Sequence, residues 1–224
     1  MKAQTAVLLG ASGLTGSFVL HELLAHHSFE KVRVLVRRPL PITHSKLEQC
    51  IVDFNDYEAY QSAIGTSDSI FCCIGTTLAK VKGNKQEYRK IDFDIPVNAA
   101  RFGRAAGCRH FLLVSSHLAN SRSRFFYPRL KGETEEIIET FGYPGLHIFR
   151  PSFLTGPRKE KRRAEQLGGG LLQALSFLLP AVSKPIAAAT VAKAMVQAAL
   201  TNEQGLHFYY YNEMQALSKE IRPL

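Results

Sequence analysis

Two residues whose side chains can move a proton or hold a charge, Tyr127 and Lys131, stand four positions apart in the stretch FFYPRLKGE at 125–133. Residues four apart on an α-helix lie on one face, so this spacing brings a phenol near an ammonium. The pair is either a catalytic tyrosine with its lysine or two residues that share a helical face. A catalytic interpretation requires a cofactor site, a partner hydroxyl group and a fold that brings all of them to one cleft.

A glycine-rich turn, GASGLTG at 10–16, follows the first apolar run and precedes a predicted helix. The three-residue spacing of its glycines lets the backbone approach a pyrophosphate, while the amide groups at the start of the helix face the anion. The alternative is a glycine-rich turn without a ligand. The turn predicts that a dinucleotide is bound by Gly10, Ser12, Gly13, Leu14, Thr15 and Gly16.

Later strand ends predict the rest of the cofactor site. Arg37 and Arg38 end the second strand, where a fold that prefers NAD usually carries an acid for the ribose 2′-hydroxyl. Guanidinium groups bind a 2′-phosphate, so we predict NADPH over NADH; the alternative is that both arginines are merely solvated. Asp53, after the third strand, is placed to meet the adenine amino group. Gly75 and Thr76, after the fourth, would let the backbone pass close to the nicotinamide ribose.

The elements that must position these residues alternate in type. Short apolar runs typical of buried parallel strands lie at 5–10, 32–36, 50–54, 69–75, 110–116 and 146–151. Helices are predicted over 14–26, 57–64, 86–106, 128–141 and 190–200, and the tail at 206–214 is a candidate last strand. This alternation predicts an α/β fold with a doubly wound parallel sheet, the Rossmann fold. We expect one domain over 1–224, with 156–189 as a small C-terminal lid or substrate-binding insertion.

Composition excludes several classes of protein. With 46% hydrophobic and 21% charged residues in 224, the chain has the composition of an ordinary globular protein. Its start shows no signal peptide and no apolar segment is long enough to span a bilayer, so we expect a cytoplasmic location and no integral membrane segment. Cys50, Cys72, Cys73 and Cys108 lack disulfide or metal spacing and the eight histidines are scattered, so we predict reduced thiols and no metal.

The net charge of +9 raises the question of a polyanionic partner. The basic cluster at 158–163 is interleaved with Glu160 and followed by Glu165, and it contains no aromatic residue to stack on bases. We therefore predict a solvated or phosphate-facing lid and no nucleic acid. The apolar segment at 167–182 is too short and too interrupted to span a bilayer, so we predict a lid or interface helix there.

In order along the chain, GASGLTG, CCIGTT, FLLVSS, FFYPRLKGE and IFRPSFLTGPR resemble the short-chain dehydrogenases/reductases of the atypical or extended type. Within that family they are similar to the Tat-interactive-protein-like oxidoreductases, over essentially the whole chain. The resemblance implies that Tyr127 is the general acid and that Lys131 lowers its pKa and holds the nicotinamide ribose. It implies that Ser116, or Ser115 if the register differs by one, binds the substrate oxygen.

The same resemblance implies that Pro151, Ser152 and Leu154 line the nicotinamide and that Arg162 supplies a basic contact. One departure is Pro128, which disfavours helical geometry at the residue before it and moves Tyr127 to the very start of the helix. The function implied is an NADPH-dependent oxidoreductase acting on a small carbonyl or alcohol. The alternative is an NADPH-binding regulator that contacts a protein partner through 167–182. A homodimer is expected only by analogy with the fold class.

Overall fold

Seven parallel strands form the central sheet in the computed structural model, which describes residues 3–157 and 184–220. The strands of the described residues, including the two of a separate small sheet, β7 and β8, are in chain order β1 (Gln4–Leu9), β2 (Phe29–Val36), β3 (Leu47–Ile51), β4 (Ser69–Cys72), β5 (His110–Val114), β6 (Gly145–Phe149), β7 (Leu154–Thr155), β8 (Ile186–Ala187) and β9 (Gly205–Tyr209). The sheet order is β3-β2-β1-β4-β5-β6-β9. This order confirms the predicted doubly wound sheet and places its switch point between β1 and β4, where such folds bind ligands.

Helices cover both faces of the sheet. They are α1 (Leu14–Ala25), α2 (Tyr57–Ile64), α3 (Lys85–Arg89), α4 (Ile95–Ala105), α5 (Phe126–Glu139), α6 (Ala188–Thr201) and α7 (Tyr211–Leu217). Alternate residues of β1 enter opposite cores: Leu8 packs with residues of α1 and α6, whereas Leu9 packs with residues of α2, α4 and α5. Because both faces are buried, the central strands β1 and β4 are largely apolar, whereas β2 and the edge strand β3 also carry charged and polar residues.

The single helix predicted over 86–106 is interrupted. Between α3 and α4 the chain forms a π turn, Lys90–Asp94, in which the backbone N–H of Ile95 donates to the carbonyl of Lys90. Pro96 explains the interruption, because it has no N–H to continue the α-helical hydrogen bonds. The turn rotates the chain so that Asp92 is buried.

The short strands β7 and β8 form a separate parallel pair, in which Leu154 lies beside Ile186 and Thr155 beside Ala187. This pair joins the chain on either side of most of the predicted lid, 156–189, whose residues 158–183 lie outside the described part. The last strand predicted over 206–214 is present in part, as β9, whereas residues from Tyr211 onward form α7. No helix among the described residues is long and apolar enough to cross a membrane.

Candidate cofactor and catalytic site

The glycine-rich turn joins β1 to α1 at the switch point of the sheet. Gly10 has a φ of +85°, and a Cβ there would lie 2.5 Å from the carbonyl oxygen of Cys73, so only glycine fits. A Cβ on Gly16 would lie 2.1 Å from the carbonyl oxygen of Gly10, which shows how closely the helix packs on the turn. Both distances explain why the turn needs glycine before any ligand is considered.

The start of α1 has the donors that an anion requires. Gly13 is the N-cap residue and has no side chain to accept from the first amide groups, and the first turn of α1 contains no acidic residue. Ser12 is exposed and Thr15 is buried beside it. The first amide groups of this helix therefore face the carboxyl edge of the sheet without a side-chain cap, which is a suitable site for a pyrophosphate.

A cavity of about 210 Å³ lies at the ends of β2 and β3. Arg37 and Asp53 line it together with Lys90, Ile91 and Asp94 of the π turn. Arg38 is exposed and does not line this cavity. A groove of about 330 Å³ between α2 and α4 is larger but contains none of the predicted site residues, so we assign the smaller cavity to the site. Of the two predicted arginines, Arg37 is the one placed to contact a ligand there.

The loop after β4 is attached to the π turn by hydrogen bonds. The N–H of Thr76 donates to Asp92 Oδ2 at 2.8 Å, and the Tyr88 hydroxyl donates to the carbonyl oxygen of Thr76 at 3.2 Å. A Cβ on Gly75 would meet only Asp92 Oδ1, at 3.8 Å. The protein itself therefore does not require glycine at 75, and the space beside it is compatible with the close approach of a cofactor.

Lys131 is buried in the second turn of α5, with only 6% of its surface exposed, and its Nζ lies 3.0 Å from Asp92 Oδ1. Burial by itself lowers the pKa of Lys131, but the charge of Asp92 and its hydrogen bond to the lysine act in the opposite direction, and the net shift is upward. The lysine is therefore a fixed positive charge inside the protein. Asp92 is a site residue that sequence reasoning missed.

Tyr127 lies in the first turn of α5 and is 38% exposed, in contrast with Lys131. The helix begins at Phe126, so Pro128 occupies its third position, where the missing N–H is tolerated. The departure predicted from Pro128 is present: the tyrosine stands at the very start of the helix. The carbonyl of Pro128 accepts a hydrogen bond of 2.9 Å from the N–H of Asn120, which joins this turn to the loop after β5.

The two serines after β5 have different partners. The Ser115 hydroxyl donates to Glu135 Oε1 in the interior of the protein. Ser116 Oγ accepts a hydrogen bond of 3.3 Å from the N–H of Leu118, and its own hydroxyl proton has no acceptor among the described residues. The Ser115 hydroxyl is thus used within the interior of the protein, whereas the Ser116 hydroxyl is available to donate a hydrogen bond to a ligand.

A buried carboxylate and a partly buried guanidinium fix the end of β6. Glu135 binds Arg150 through two nitrogen atoms, with Arg150 Nε 3.1 Å from Oε1 and Nη2 on Oε2. Arg150 Nη1 also donates to the Tyr210 hydroxyl at 2.8 Å, and its guanidinium lies 4.3 Å from the ring centre of Phe208. This network holds the segment that begins at Pro151. Neither Glu135 nor Arg150 was predicted from sequence.

The predicted nicotinamide segment continues from this network. The carbonyl of Pro151 accepts from the N–H of His117 at 3.1 Å, and the Ser152 hydroxyl donates to the carbonyl of Lys184. Leu154 begins β7. Arg162 lies outside the described residues. Within the described ranges no group of three or more potential metal ligands occurs, and the four cysteines are free.

Comparison with known proteins identifies the family. A family described as NAD(P)H-binding matches residues 10–202. The rat protein HTATIP2 is 36% identical over 170 residues, which cover 75% of this chain and 69% of that protein. FMP52-1 of Scheffersomyces stipitis is 32% identical over 97% of this chain and 100% of that protein. The chain belongs to the NAD(P)H-binding family.

Within this NAD(P)H-binding family the chain is an atypical short-chain dehydrogenase/reductase of the HTATIP2-like type, as the resemblance indicated. Solved structures agree on the fold. WbmH of Bordetella bronchiseptica in complex with NAD+ has a TM-score of 0.73 at 16% identity, over 93% of this chain and 75% of that one. MoeE5 in complex with UDP-glucose and NAD has a TM-score of 0.67 at 16% identity, over 97% and 81%.

The predicted cytoplasmic location is wrong by this comparison. The FMP52 relatives, including that of Candida glabrata at 38% identity over 73% of this chain and 69% of that protein, are named as mitochondrial. The prediction relied on the lack of a secretory signal and of a membrane span. Neither feature excludes a mitochondrial protein, because transit peptides are amphipathic and rich in arginine and serine, without a long apolar run.

Proposed function

We propose that this NAD(P)H-binding chain is an NADPH-dependent oxidoreductase that reduces a small carbonyl compound or oxidises the corresponding alcohol. The observation that carries the proposal is the buried, positively charged Lys131, which acts electrostatically with Tyr127 at the edge of the sheet that carries the glycine-rich turn. A helix that only packs on the sheet gains nothing from a buried lysine beside a tyrosine. In an enzyme that delivers a proton next to a bound cofactor, such a lysine has a function.

The proposed roles follow from the partners of each side chain. NADPH, when bound, would supply a hydride to the carbonyl carbon. The Tyr127 phenol donates its proton to the carbonyl oxygen as that oxygen gains the electron pair of the C=O bond, and Lys131 stabilises the phenolate that remains. Ser116, rather than Ser115, donates a hydrogen bond to the same oxygen, because the Ser115 hydroxyl is already committed to Glu135.

The remaining predicted residues bind the cofactor in this proposal. The uncapped start of α1, from Gly13 to Gly16, holds the pyrophosphate. Arg37 holds the 2′-phosphate, which is supported by its position on the cavity at the ends of β2 and β3. Gly75, Thr76 and the segment from Pro151 to Leu154 border the nicotinamide end. The alternative regulatory role through 167–182 concerns residues outside the described part, and no observation favours it.

The first experiment is a titration of NADPH and NADH into the purified protein, followed by nicotinamide fluorescence. Arg37→Ala is expected to weaken NADPH binding by about tenfold or more, since a hydrogen bond to a charged group contributes about 1.5–3 kcal/mol. NADH has no 2′-phosphate, so its affinity should change by less than about twofold. Arg38→Ala is the matched control, because Arg38 lies next to Arg37 but outside the cavity.

Tyr127→Phe should retain NADPH binding and lose turnover on any carbonyl substrate that the wild type reduces. Equal binding of NADPH and NADH by the wild type would refute the cofactor preference. Tight binding without turnover on a broad panel of aldehydes and ketones, with wild type and Tyr127→Phe indistinguishable, would refute the oxidoreductase and favour a regulator.

A further inference from the structure

The edge of the sheet that carries the candidate site also exposes large apolar side chains. Phe125 is 77% exposed, more than any other large apolar side chain in the described part of the chain, while Phe153 is 60% and Leu118 53% exposed. Each stands two positions from a residue of the candidate site, respectively Tyr127, Pro151 and Ser116. Large apolar side chains grouped on a surface mark a place where an apolar ligand is bound.

Backbone hydrogen bonds join the segments that carry these side chains. The N–H of His117, in the loop after β5, donates to the carbonyl of Pro151 at 3.1 Å. Further along the same loop, the N–H of Asn120 donates to the carbonyl of Pro128 in the first turn of α5 at 2.9 Å. The loop after β5, the start of α5 and the segment after β6 therefore form one continuous apolar surface, to which Tyr127 also belongs.

The loops at this surface are basic. The segments 73–85, 115–125 and 150–157, which follow β4, β5 and β6, contain no Asp or Glu. The first two of them carry exposed cations, namely Lys80, Lys82, Lys85, Arg122 and Arg124. Lys85 Nζ lies 5.6 Å from the ring centre of Phe126, which places the loop after β4 beside the start of α5. The positive potential of these loops attracts an anionic ligand.

These two properties distinguish between classes of carbonyl compound. A sugar requires polar side chains that hydrogen-bond its hydroxyl groups, and it would leave the rings of Phe125 and Phe153 in water. An apolar chain would cover both rings and gain the free energy of their burial. An acidic group on the same molecule would meet the lysines and arginines of the adjoining loops.

We propose that the substrate is an amphiphilic carbonyl compound, in which an apolar chain joins the carbonyl group to a carboxylate or a phosphate. This inference rests on the proposed function and deepens it by naming the class of substrate. The reaction is unchanged: the carbonyl group gains a hydride at carbon and a proton at oxygen and becomes an alcohol, while NADPH becomes NADP⁺.

The first test measures binding without turnover. cis-Parinaric acid, a fatty acid whose fluorescence increases in apolar surroundings, is titrated into the full chain with and without NADP⁺. The variant is Phe125→Ser. Phe125 is the N-cap residue of α5, where serine is favoured, so this change removes the ring without weakening the helix. Ile137→Ser is the matched control, because Ile137 is an exposed apolar residue near the other end of α5.

We expect saturable binding of cis-parinaric acid by the wild type. Phe125→Ser should weaken it by about fivefold or more, because a large apolar contact is lost, whereas Ile137→Ser should change it by less than about twofold. UDP-glucose, a polar nucleotide sugar, should not displace the fatty acid. Equal affinities in Phe125→Ser and Ile137→Ser, displacement by UDP-glucose, or no saturable binding would overturn the inference.

A second pair of variants tests the charge. Arg122→Gln/Arg124→Gln should weaken the binding of cis-parinaric acid by about threefold or more in buffer of low ionic strength, and added salt should reduce this difference. Arg101→Gln/Arg109→Gln removes the same charge from α4 and from the residue before β5, and it should change the affinity by less than about twofold. Equal effects of the two pairs would refute the acidic group.

The third test measures turnover with NADPH. From propanal to octanal, kcat/KM should rise by about two- to fourfold for each added methylene group that reaches the apolar surface. Phe125→Ser should flatten this rise and leave kcat/KM for propanal within about twofold of the wild type. An aldehyde with a terminal carboxylate should be reduced faster than the neutral aldehyde of equal length, and Arg122→Gln/Arg124→Gln should remove that preference.

The outcomes separate this inference from the proposed function. Equal kcat/KM values for propanal and octanal in an active wild type would overturn the substrate class and leave the oxidoreductase intact. Absence of turnover on every carbonyl compound would instead refute the proposed function. The titrations with cis-parinaric acid then decide by themselves whether the surface at Leu118, Phe125 and Phe153 binds apolar anions.

Discussion

The two adjacent serines that follow β5 have different hydrogen-bond partners, which give one of them a role in packing and leave the other available for chemistry. Ser115 and Ser116 are both buried, yet only Ser115 donates to Glu135, and only Ser116 accepts from the N–H of Leu118. Successive side chains of an extended chain point in opposite directions, so the two hydroxyl groups cannot share a partner. The motif VSS alone left the choice between them open, and the hydrogen bonds supply a reason to prefer Ser116.

This difference predicts that two alanine substitutions destabilise the protein to different extents. Ser115→Ala should lower the free energy of unfolding by about 1.5–3 kcal/mol, since it removes a buried hydrogen bond to a charged group. Ser116→Ala should cost about 1 kcal/mol or less, because it removes one long hydrogen bond. Urea denaturation followed by circular dichroism measures both values. If Ser116→Ala were the more destabilising substitution, the assignment of Ser115 to packing would be incorrect.

At the scale of elements, α4 and α5 each bury a glycine against a neighbour. A Cβ on Gly132 of α5 would lie 2.1 Å from the backbone nitrogen of Ser121 and 2.4 Å from the carbonyl carbon of Asn120. A Cβ on Gly103 of α4 would lie 2.1 Å from Cδ1 of Ile70 and 2.8 Å from the hydroxyl oxygen of Tyr143, each the end of a side chain. The backbone atoms of the loop at 120–121 cannot move away by a change of rotamer, as a side-chain methyl group can. Gly132 therefore sets how closely that loop approaches the helix of Tyr127 and Lys131.

Gly132→Ala should destabilise the protein by about 2 kcal/mol or more in urea denaturation, although alanine is favoured over glycine in a helix by about 1 kcal/mol. Gly103→Ala should cost less than Gly132→Ala, because the side chains of Ile70 and Tyr143 can shift where backbone atoms cannot. Equal effects of the two substitutions would show that the loop yields as easily as a side chain, contrary to this expectation.

Much of the element pattern could be predicted because it depends on local composition. Every strand of the main sheet overlaps a predicted run, but the bounds differ: β3 covers Leu47–Ile51 where 50–54 was predicted, β2 begins at Phe29 instead of 32, and β9 ends at Tyr209 instead of 214. The π turn was missed, although Pro96 inside the predicted helix is the sequence signal for it. Asp92 was missed for a related reason, since helical spacing does not show which polar residue a π turn will bury.

The residues that hold the site together were harder to predict than those that act in it. Tyr127 and Lys131 are close in sequence, so their spacing carries information. Glu135 and Arg150 lie in different elements, and their ion pair depends on how α5 packs beside β6. A single sequence contains no signal for that contact. The role of each predicted site residue remains a prediction until the binding and turnover experiments are done.

At the scale of the whole molecule, a second polar feature lies apart from the candidate site at the carboxyl edge of the sheet. His110, the first residue of β5, His147, in the middle of β6, and Tyr209, the last residue of β9, form a hydrogen-bonded row across these adjacent strands. His110 Nδ1 lies 3.4 Å from His147 Nε2, and His147 Nδ1 lies 2.9 Å from the Tyr209 hydroxyl. His207 stacks on His147 at 5.2 Å between ring centres. This row is buried and takes no part in the proposed reaction.

The row predicts a loss of stability in acid. Burial, then the neighbouring His110 and His207, lower the pKa of His147 from 6.5 to about 3. The unfolded chain therefore binds a proton that the folded chain excludes as the pH falls from 6.5 towards 3, so the stabilisation present above pH 6.5 is lost on acidification. The free energy of unfolding should fall by up to about 1.4 kcal/mol per pH unit from this group.

Urea denaturation at several pH values between 7 and 4 measures this slope, and His147→Gln should reduce it. His21→Gln is the matched control, because His21 is exposed on α1. Carboxylates also titrate in this range, but they contribute equally to all three proteins, so the difference between slopes isolates His147. A slope in His147→Gln as steep as in the wild type would exclude this histidine as the cause.

Arg150 has a consequence for how the protein is made. Its guanidinium needs Glu135, which precedes it, and Tyr210, which lies 60 positions later in the chain. A ribosome releases the chain from its amino end, so Arg150 reaches its full set of partners only after Tyr210 has been synthesised. Residues of α6, which share a core with those of α1, also emerge late, shortly before β9. The nascent protein can thus complete the core beside the glycine-rich turn and lock the segment at Pro151 only when nearly the whole chain has emerged.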